Sequence, residues 1–243
     1  MAEYLAYAME MRRRVKEQLK KMGGLEYWDT SFSYIDRGSG QETFVPVPEM
    51  GGGSLIIDGT LAPGGVYTIG TDVSNNRLAL FLLQAQMNPG SGRIIPLGNL
   101  SNRMKEAIKT ADAYLKANVR NLGIDRDLKG YDFSVQAINL NQAKEGAETA
   151  VAFFISMVSA ILDKPVLDRT VVLGEMSVQG LLLKVNALPE RMQLAVEAGA
   201  RRILIPSENK RDLADVPDAI LTAIQWQFYD SPTRAAIIAM GMN

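Results

Sequence analysis

The chain has 243 residues, 26 Lys and Arg against 27 Asp and Glu, and neither cysteine nor histidine. That length can bury a sizeable core without disulfides or metals, while the two missing residue types exclude thiol nucleophiles, thiolate or imidazole zinc sites, and Ser-His-Asp or Cys-His catalysis. A net charge of −1 provides no global field for nucleic acid or an anionic membrane.

Taken in chain order, Tyr4, Ala8, Met11, Val15, Leu19 and Met22 step by fours and threes, predicting a helix over 3–22 that Gly23 and Gly24 end. Its other face carries Arg12, Arg13, Arg14, Lys16, Lys20 and Lys21, a solvated face or, alternatively, a nucleic-acid contact. Residues 26–35 read as extended, and 36–53, with Pro46, Pro48 and Gly51-Gly52-Gly53, as a linker or long loop. This divides the chain into an N-terminal segment, 1–50, and a main domain, 51–243. Strands are predicted at 54–57, 66–70 and 78–86, separated by turn signals at Asp58-Gly59, Pro63-Gly64-Gly65 and Asn75-Asn76. A loop at 87–92 leads to a short strand at 93–97. Residues 101–122 read as a helix with Ser101 as N-cap, Met104, Ile108, Ala111, Leu115 and Val119 as its stripe, and Gly123 as its stop.

A strand at 131–138 precedes an apolar helix at 147–162. Strands at 171–175 and 181–185, a helix at 189–198, a strand at 202–205 and a final helix-containing segment complete an α+β domain. The longest apolar run, 150–162, includes Ser156 and Ser159 and is too short for the roughly 30 Å of a bilayer's hydrocarbon core. No secretory signal opens the chain, so a cytoplasmic location without membrane contact is expected.

Several blocks along these elements resemble one family. KEGAETA (144–150), LGEMSVQG (173–180), NALPERMQLAVEAGARRILIP (186–206) and SENKRDL (207–213) follow PLGNLSNRMKEAIKTADAYLKA (96–117), with Pro165 between. In this order they are similar to the C-terminal proteolytic domain of Lon-type proteases. The resemblance implies that domain's α+β fold, a ribosomal protein S5 domain 2-like fold, and an ATP-dependent serine endopeptidase with a Ser-Lys dyad. The serine position holds Glu148 and the lysine position Arg191, 43 residues apart as in the family. Leu173 stands where the family has a threonine that helps orient the lysine, Glu145 replaces the motif's aspartate, and Glu175 matches the glutamate of its TGE.

A Ser-Lys dyad needs a hydroxyl whose proton passes to a neutral amine. Glu148 has no hydroxyl, and a guanidinium stays protonated. The opposite charges of Glu148 and Arg191 predict a salt bridge in the dyad's place and a proteolytically inactive domain; the alternative is a peptidase with a relocated nucleophile. Among other candidates Thr149 is read as capping or packing, Lys184 as solvated or snorkelling, and Ser156 and Ser159 as bonding back to their own helix. Glu145, Glu148 and Glu175 would hold a metal only if they converged, and no spacing motif supports that.

The sequence contains no G-x-x-x-x-G-K-[ST] phosphate loop, so ATP and magnesium are expected only for an ATPase upstream of this chain. The segment 4–36 further resembles the Lon-like proteins of bacteriophage-exclusion (BREX) defence systems. That implies a homo-oligomer, a hexameric ring, with DNA reached only through upstream domains.

Overall fold

The computed structural model describes residues 31–35, 42–46, 55–72, 77–98, 100–125, 127–140 and 146–242. The chain divides into two compact units, 1–54 and 55–243. In the first, β1 (Ser31–Ile35) and β2 (Glu42–Pro46) pair antiparallel, with Ser31 opposite Pro46. A strand therefore stands inside the expected loop of 36–53. Thr43, Phe44 and Val45 favour a pleated strand, and Pro46 ends it, where its missing N–H costs least. The helix expected at 3–22 lies outside the described residues.

The second unit is built on a seven-stranded mixed sheet. Its central strands are β3 (Gly65–Asp72), β4 (Arg77–Pro89) and β6 (Tyr131–Asn139), with β3 and β6 both antiparallel to β4. On one flank β5 (Ile94–Leu97) lies parallel to β6; on the other, β7 (Thr170–Val172), β10 (Arg202–Pro206) and β11 (Gln225–Tyr229) continue parallel to β3. The order is β11-β10-β7-β3-β4-β6-β5. A small separate hairpin joins β8 (Glu175–Met176) to β9 (Leu182–Leu183).

Alternation along β4 makes the sheet two-faced. Phe81, Leu83 and Ala85 pack with Phe133 and Val135 under helices α1 (Asn102–Asn118) and α2 (Ala150–Leu162). Leu80 and its neighbour Ile69 face the opposite cluster, closed by α3 (Leu188–Glu197) through Leu188, Met192 and Ala195. Two shorter helices, α4 (Asp218–Ala223) and α5 (Pro232–Ala239), flank β11.

Ser101 caps α1 as expected, its hydroxyl accepting from the Met104 N–H at 3.2 Å, and Gly123 ends the following 3-10 turn at φ 69°. Other expectations need correction. Of the strand expected at 54–57, residues 55–57 are described and form none: Ile56 is a buried plug whose N–H donates to Ala198 O at 3.0 Å. Strand β4 runs on to Pro89, through half of the expected 87–92 loop, because β6 pairs with it to that point. Helix α2 begins at Ala150, not 147. The strand expected at 171–175 stops at Val172, because Gly174 takes φ 146° and re-aims the chain into β8.

Ser156 and Ser159 do not bond back within α2. The Ser156 hydroxyl donates to Gly64 O at 2.6 Å, and Ser159 accepts from the Gly64 N–H at 2.9 Å while donating to Lys164 O. Two hydroxyls inside an otherwise apolar helix thus fasten the turn before β3.

The β4–β5 connection hangs on Asp132. One carboxylate oxygen accepts from the N–H groups of Ser91 at 2.7 Å and Arg93 at 2.9 Å, and the other from the Arg93 guanidinium. These bonds, the backbone ones foremost, lower its pKa to about 2. A depressed carboxylate contributes stability that is present above its unfolded pKa and is lost as pH falls through its folded value. Asp132→Asn is therefore expected to have a lower urea midpoint than the parent at pH 6. That difference should shrink between about pH 4 and pH 2.

Candidate functional site

Strand β3 carries the first anchor. Thr71 and Ala147 exchange backbone hydrogen bonds, Thr71 N to Ala147 O at 3.2 Å and Ala147 N to Thr71 O at 3.0 Å. The next residue, Glu148, lies at φ 64° in a bend before α2, so it belongs to no helix, contrary to the sequence expectation. Across the site Ala187 takes φ 54° immediately before α3. Left-handed backbone costs a non-glycine residue roughly 1–2 kcal/mol. Among the described residues four non-glycine positions adopt it, and two of them flank this site. Such conformations persist where the surroundings over-determine them, often at functional positions.

What over-determines them is Arg191, projecting from α3 with no exposed surface. Its Nε donates to Asn186 O at 2.7 Å, one terminal nitrogen to Ile69 O, and the other to Thr71 Oγ1 at 2.7 Å and to Glu148 Oε2. Glu148 and Arg191 form an ion pair in which the glutamate side chain is only 15% exposed. Thr71 bridges the pair, donating its hydroxyl to Glu148 Oε2 at 2.8 Å while accepting from Arg191. The second glutamate oxygen accepts from the backbone and side-chain N–H groups of Asn186, at 3.3 and 3.2 Å. Burial pushes the Arg191 guanidinium below its ordinary value and the Glu148 charge pulls it back; either way it remains a cation.

Glu175 forms a second layer. Its carboxylate accepts from the Met176 N–H at 2.9 Å and from the N–H groups of Thr149 and Ala150, at the entry of α2, where the helix dipole favours negative charge. Burial nevertheless pushes this carboxyl above the usual glutamate range, and the nearby Glu148 adds to the shift. Leu173 is wholly buried among apolar side chains, and its carbonyl accepts from the Tyr229 hydroxyl, also buried. The hydroxyl that orients Arg191 is therefore that of Thr71, on a different strand.

The SENKRDL block has a structural job. Asn209 is buried, accepts from Val185 N–H at 3.0 Å and donates to Val185 O at 2.8 Å. It also donates to Asp212, which pairs with Lys184 at 2.7 Å. These bonds clamp the chain entering Asn186 and hence the Arg191 helix. Lys184, its side chain 55% exposed, is solvated as expected and also paired.

The structure brings together Glu148, Arg191 and Glu175, and leaves Leu173 in the adjoining core; Glu145 lies outside the described residues. Thr149 is fully buried at the start of α2, and its hydroxyl has no hydrogen-bond partner among the described residues. Glu148 and Glu175 do not share a cation site, since Arg191, Asn186 and backbone N–H groups occupy their oxygens; among the described residues no cluster of three metal-ligating side chains occurs. Sequence reasoning missed Thr71, Asn186 and Asn209. Asn186 and Asn209 stood inside matching blocks without a role, whereas Thr71 carried no signal.

The guanidinium cannot accept a proton, and both carboxylate oxygens are engaged. No helix among the described residues is long and apolar enough to cross a membrane.

Comparison with known proteins agrees with this frame. Residues 67–239 match the family described as Lon protease (S16) C-terminal proteolytic domain. The chain is 38% identical over 240 residues to a protein of Escherichia coli O9:H4 (strain HS) named Lon-like protease BrxL, covering 98% of this chain and 34% of that protein. A Lon-like protease BrxL of Bacillus cereus (strain H3081.97) is 37% identical over 242 residues, covering 99% and 36%. The Lon protease of Azorhizobium caulinodans is 32% identical over 187 residues, covering 76% and 21%. The chain thus spans about a third of the length of the Lon-like relatives it matches.

Proposed function

Because the chain belongs to the family of Lon protease (S16) C-terminal proteolytic domains, we propose that it retains that domain's frame as a ring-assembling part of a longer Lon-like protein and performs no peptide hydrolysis. The observation carrying this reading is the closed network around Arg191, in which a permanent cation and an engaged carboxylate occupy the nucleophile and base positions. A Ser-Lys mechanism needs a neutral amine and a free hydroxyl there.

Its likeness to the BrxL proteins extends over nearly the whole chain and supports a place in a bacteriophage-exclusion system. In that setting an ATPase with its magnesium, and any DNA contacts, belong to other parts of the longer protein, while this domain joins copies of itself into a hexamer in the cytoplasm.

One geometric observation favours a second reading. The Thr71 hydroxyl donates to Glu148 at 2.8 Å, the relation a nucleophile has to its base. Its oxygen, however, also accepts from the Arg191 cation at 2.7 Å, which ties up one of its two lone pairs and lowers its nucleophilicity.

The test joins two measurements on the purified chain. Casein and a fluorogenic peptide should not be turned over, a fluorophosphonate probe should not label the protein, and native mass spectrometry should give a ring-sized species. Turnover abolished by Thr71→Val or Thr149→Ala would establish a relocated nucleophile. A monomer at high concentration would remove the assembly role from this domain.

A further inference from the structure

At the outer end of the sheet β11 pairs, among the described residues, with β10 alone. The Gln225 N–H donates inward to Arg201 O at 3.0 Å. In a strand the N–H and C=O of one residue point to the same side and those of the next residue to the other. The backbone groups of Trp226 and Phe228 therefore point outward, and no described residue bonds to them. The edge is also exposed: Trp226 is 39% accessible, and Gln225 and Gln227 lie in solvent.

Two depressions adjoin this edge, beside α5. The first, about 120 Å³, is lined by Leu167, Leu204 and Ile238, with Gln225 and Gln227 from β11. The second, about 200 Å³, is lined by Gln227, Tyr229, Lys210 and Arg234 and shares Ile238 with the first. Moving from the Gln225–Gln227 step to the Gln227–Tyr229 step is a shift of two strand residues, roughly 7 Å. An added strand would present its side chains to the two depressions at that same interval.

Charge selects the occupant. The Arg234 guanidinium and Lys210 ammonium face the second depression without an ion-pair partner among the described residues, Lys210 standing 6.0 Å from the Phe228 ring centroid, and Arg202 borders the first. Against these three cations the linings contribute a single carboxylate, Asp230. We propose that β11 is a docking edge for an extended acidic peptide of a partner protein, which adds as a further strand through the free backbone groups of Trp226 and Phe228. It would place an apolar side chain in the first depression and, two residues away, an Asp or Glu beside Lys210 and Arg234. Main-chain bonds supply affinity in such strand addition and side-chain pockets supply selectivity. This site is separate from the Glu148–Arg191 network and stands whether or not that network is inactive.

The test uses Thr-Val-Thr-Glu-Thr-Val amide with fluorescein on its N-terminus, its counterpart with Lys for Glu, and a form N-methylated on alternate amides, up to about 1 mM. The Glu peptide should bind saturably and slow amide exchange at Trp226 and Phe228. The Lys peptide should bind about tenfold or more weakly, N-methylation should abolish binding, and Arg234→Glu should reverse the preference, whereas Arg120→Glu on the far helix end should change nothing. Absence of saturable binding, or binding insensitive to N-methylation, would overturn the proposal. So would slow exchange of both amides in the peptide-free chain together with dimer sedimentation, which would assign the edge to a second copy.

Discussion

Glu148→Ala is expected to lower unfolding free energy by about 3–5 kcal/mol, the range for removing one partner of a buried ion pair. The loss arises because Arg191, with no exposed surface, would keep its charge without a counter-ion. Its neutral acceptors Ile69 O, Asn186 O and Thr71 Oγ1 remain, which places the effect toward the lower end. The corresponding change at Glu106, whose ion pair with Lys109 is more than 70% exposed on both sides, should be within about 1 kcal/mol of neutral. Urea titrations of the two variants side by side measure the contrast. Equal, small effects would mean that Arg191 escapes to solvent when Glu148 is gone.

Gly174→Ala should be at least as damaging. At φ 146° the residue is in a region side chains avoid, and an added Cβ would lie 2.0 Å from the Tyr229 hydroxyl oxygen and 3.1 Å from Val151 Cγ2. Tyr229 cannot swing aside, since it is buried and its hydroxyl is bonded to Leu173 O. Strain and collision together should exceed about 4 kcal/mol, visible as a large fall in Tm or in soluble yield. Tyr229→Phe alone should cost about 1 kcal/mol for the lost hydrogen bond. In the Gly174→Ala background, however, it removes the atom the methyl meets, so the double variant should be more stable than Gly174→Ala alone. Failure of that rescue would place the strain in the backbone dihedral.

Elements with local signals were legible in the sequence. The Ser101 cap, the Gly123 stop and the stripe between them define α1, and the apolar run defines α2, because capping and periodicity are short-range properties. Strands β2 and β11 were not legible. The first lies in a stretch dominated by proline and glycine signals, and the second alternates polar and aromatic residues in an exposed edge, where burial leaves little pattern. The helix expected from 147 includes Glu148, but its bend is imposed by the Thr71–Ala147 bridge, a tertiary constraint.

The candidate site was legible only in part. Family spacing pointed to Glu148 and Arg191, and their opposite charges to the pair that forms. Thr71 lies 77 residues from Glu148 and 120 from Arg191, so no local pattern could name it. Conversely, the SENKRDL block was recognised by likeness, and its physical reason emerges only from Asn209 and Asp212 clamping the approach to Asn186. Likeness located these residues and geometry assigned their work.

The central claim, that a structural ion pair occupies the place of a catalytic dyad, is tested most directly by a double-mutant cycle in urea with Glu148→Gln and Arg191→Met. Each single change strands one partner, whereas the double change leaves no charge buried. The double variant should be more stable than the sum of the single losses implies, by about 1–3 kcal/mol, as contacting charged residues give. Additive losses, within about 0.5 kcal/mol, would show that the two side chains do not depend on each other and would contradict it.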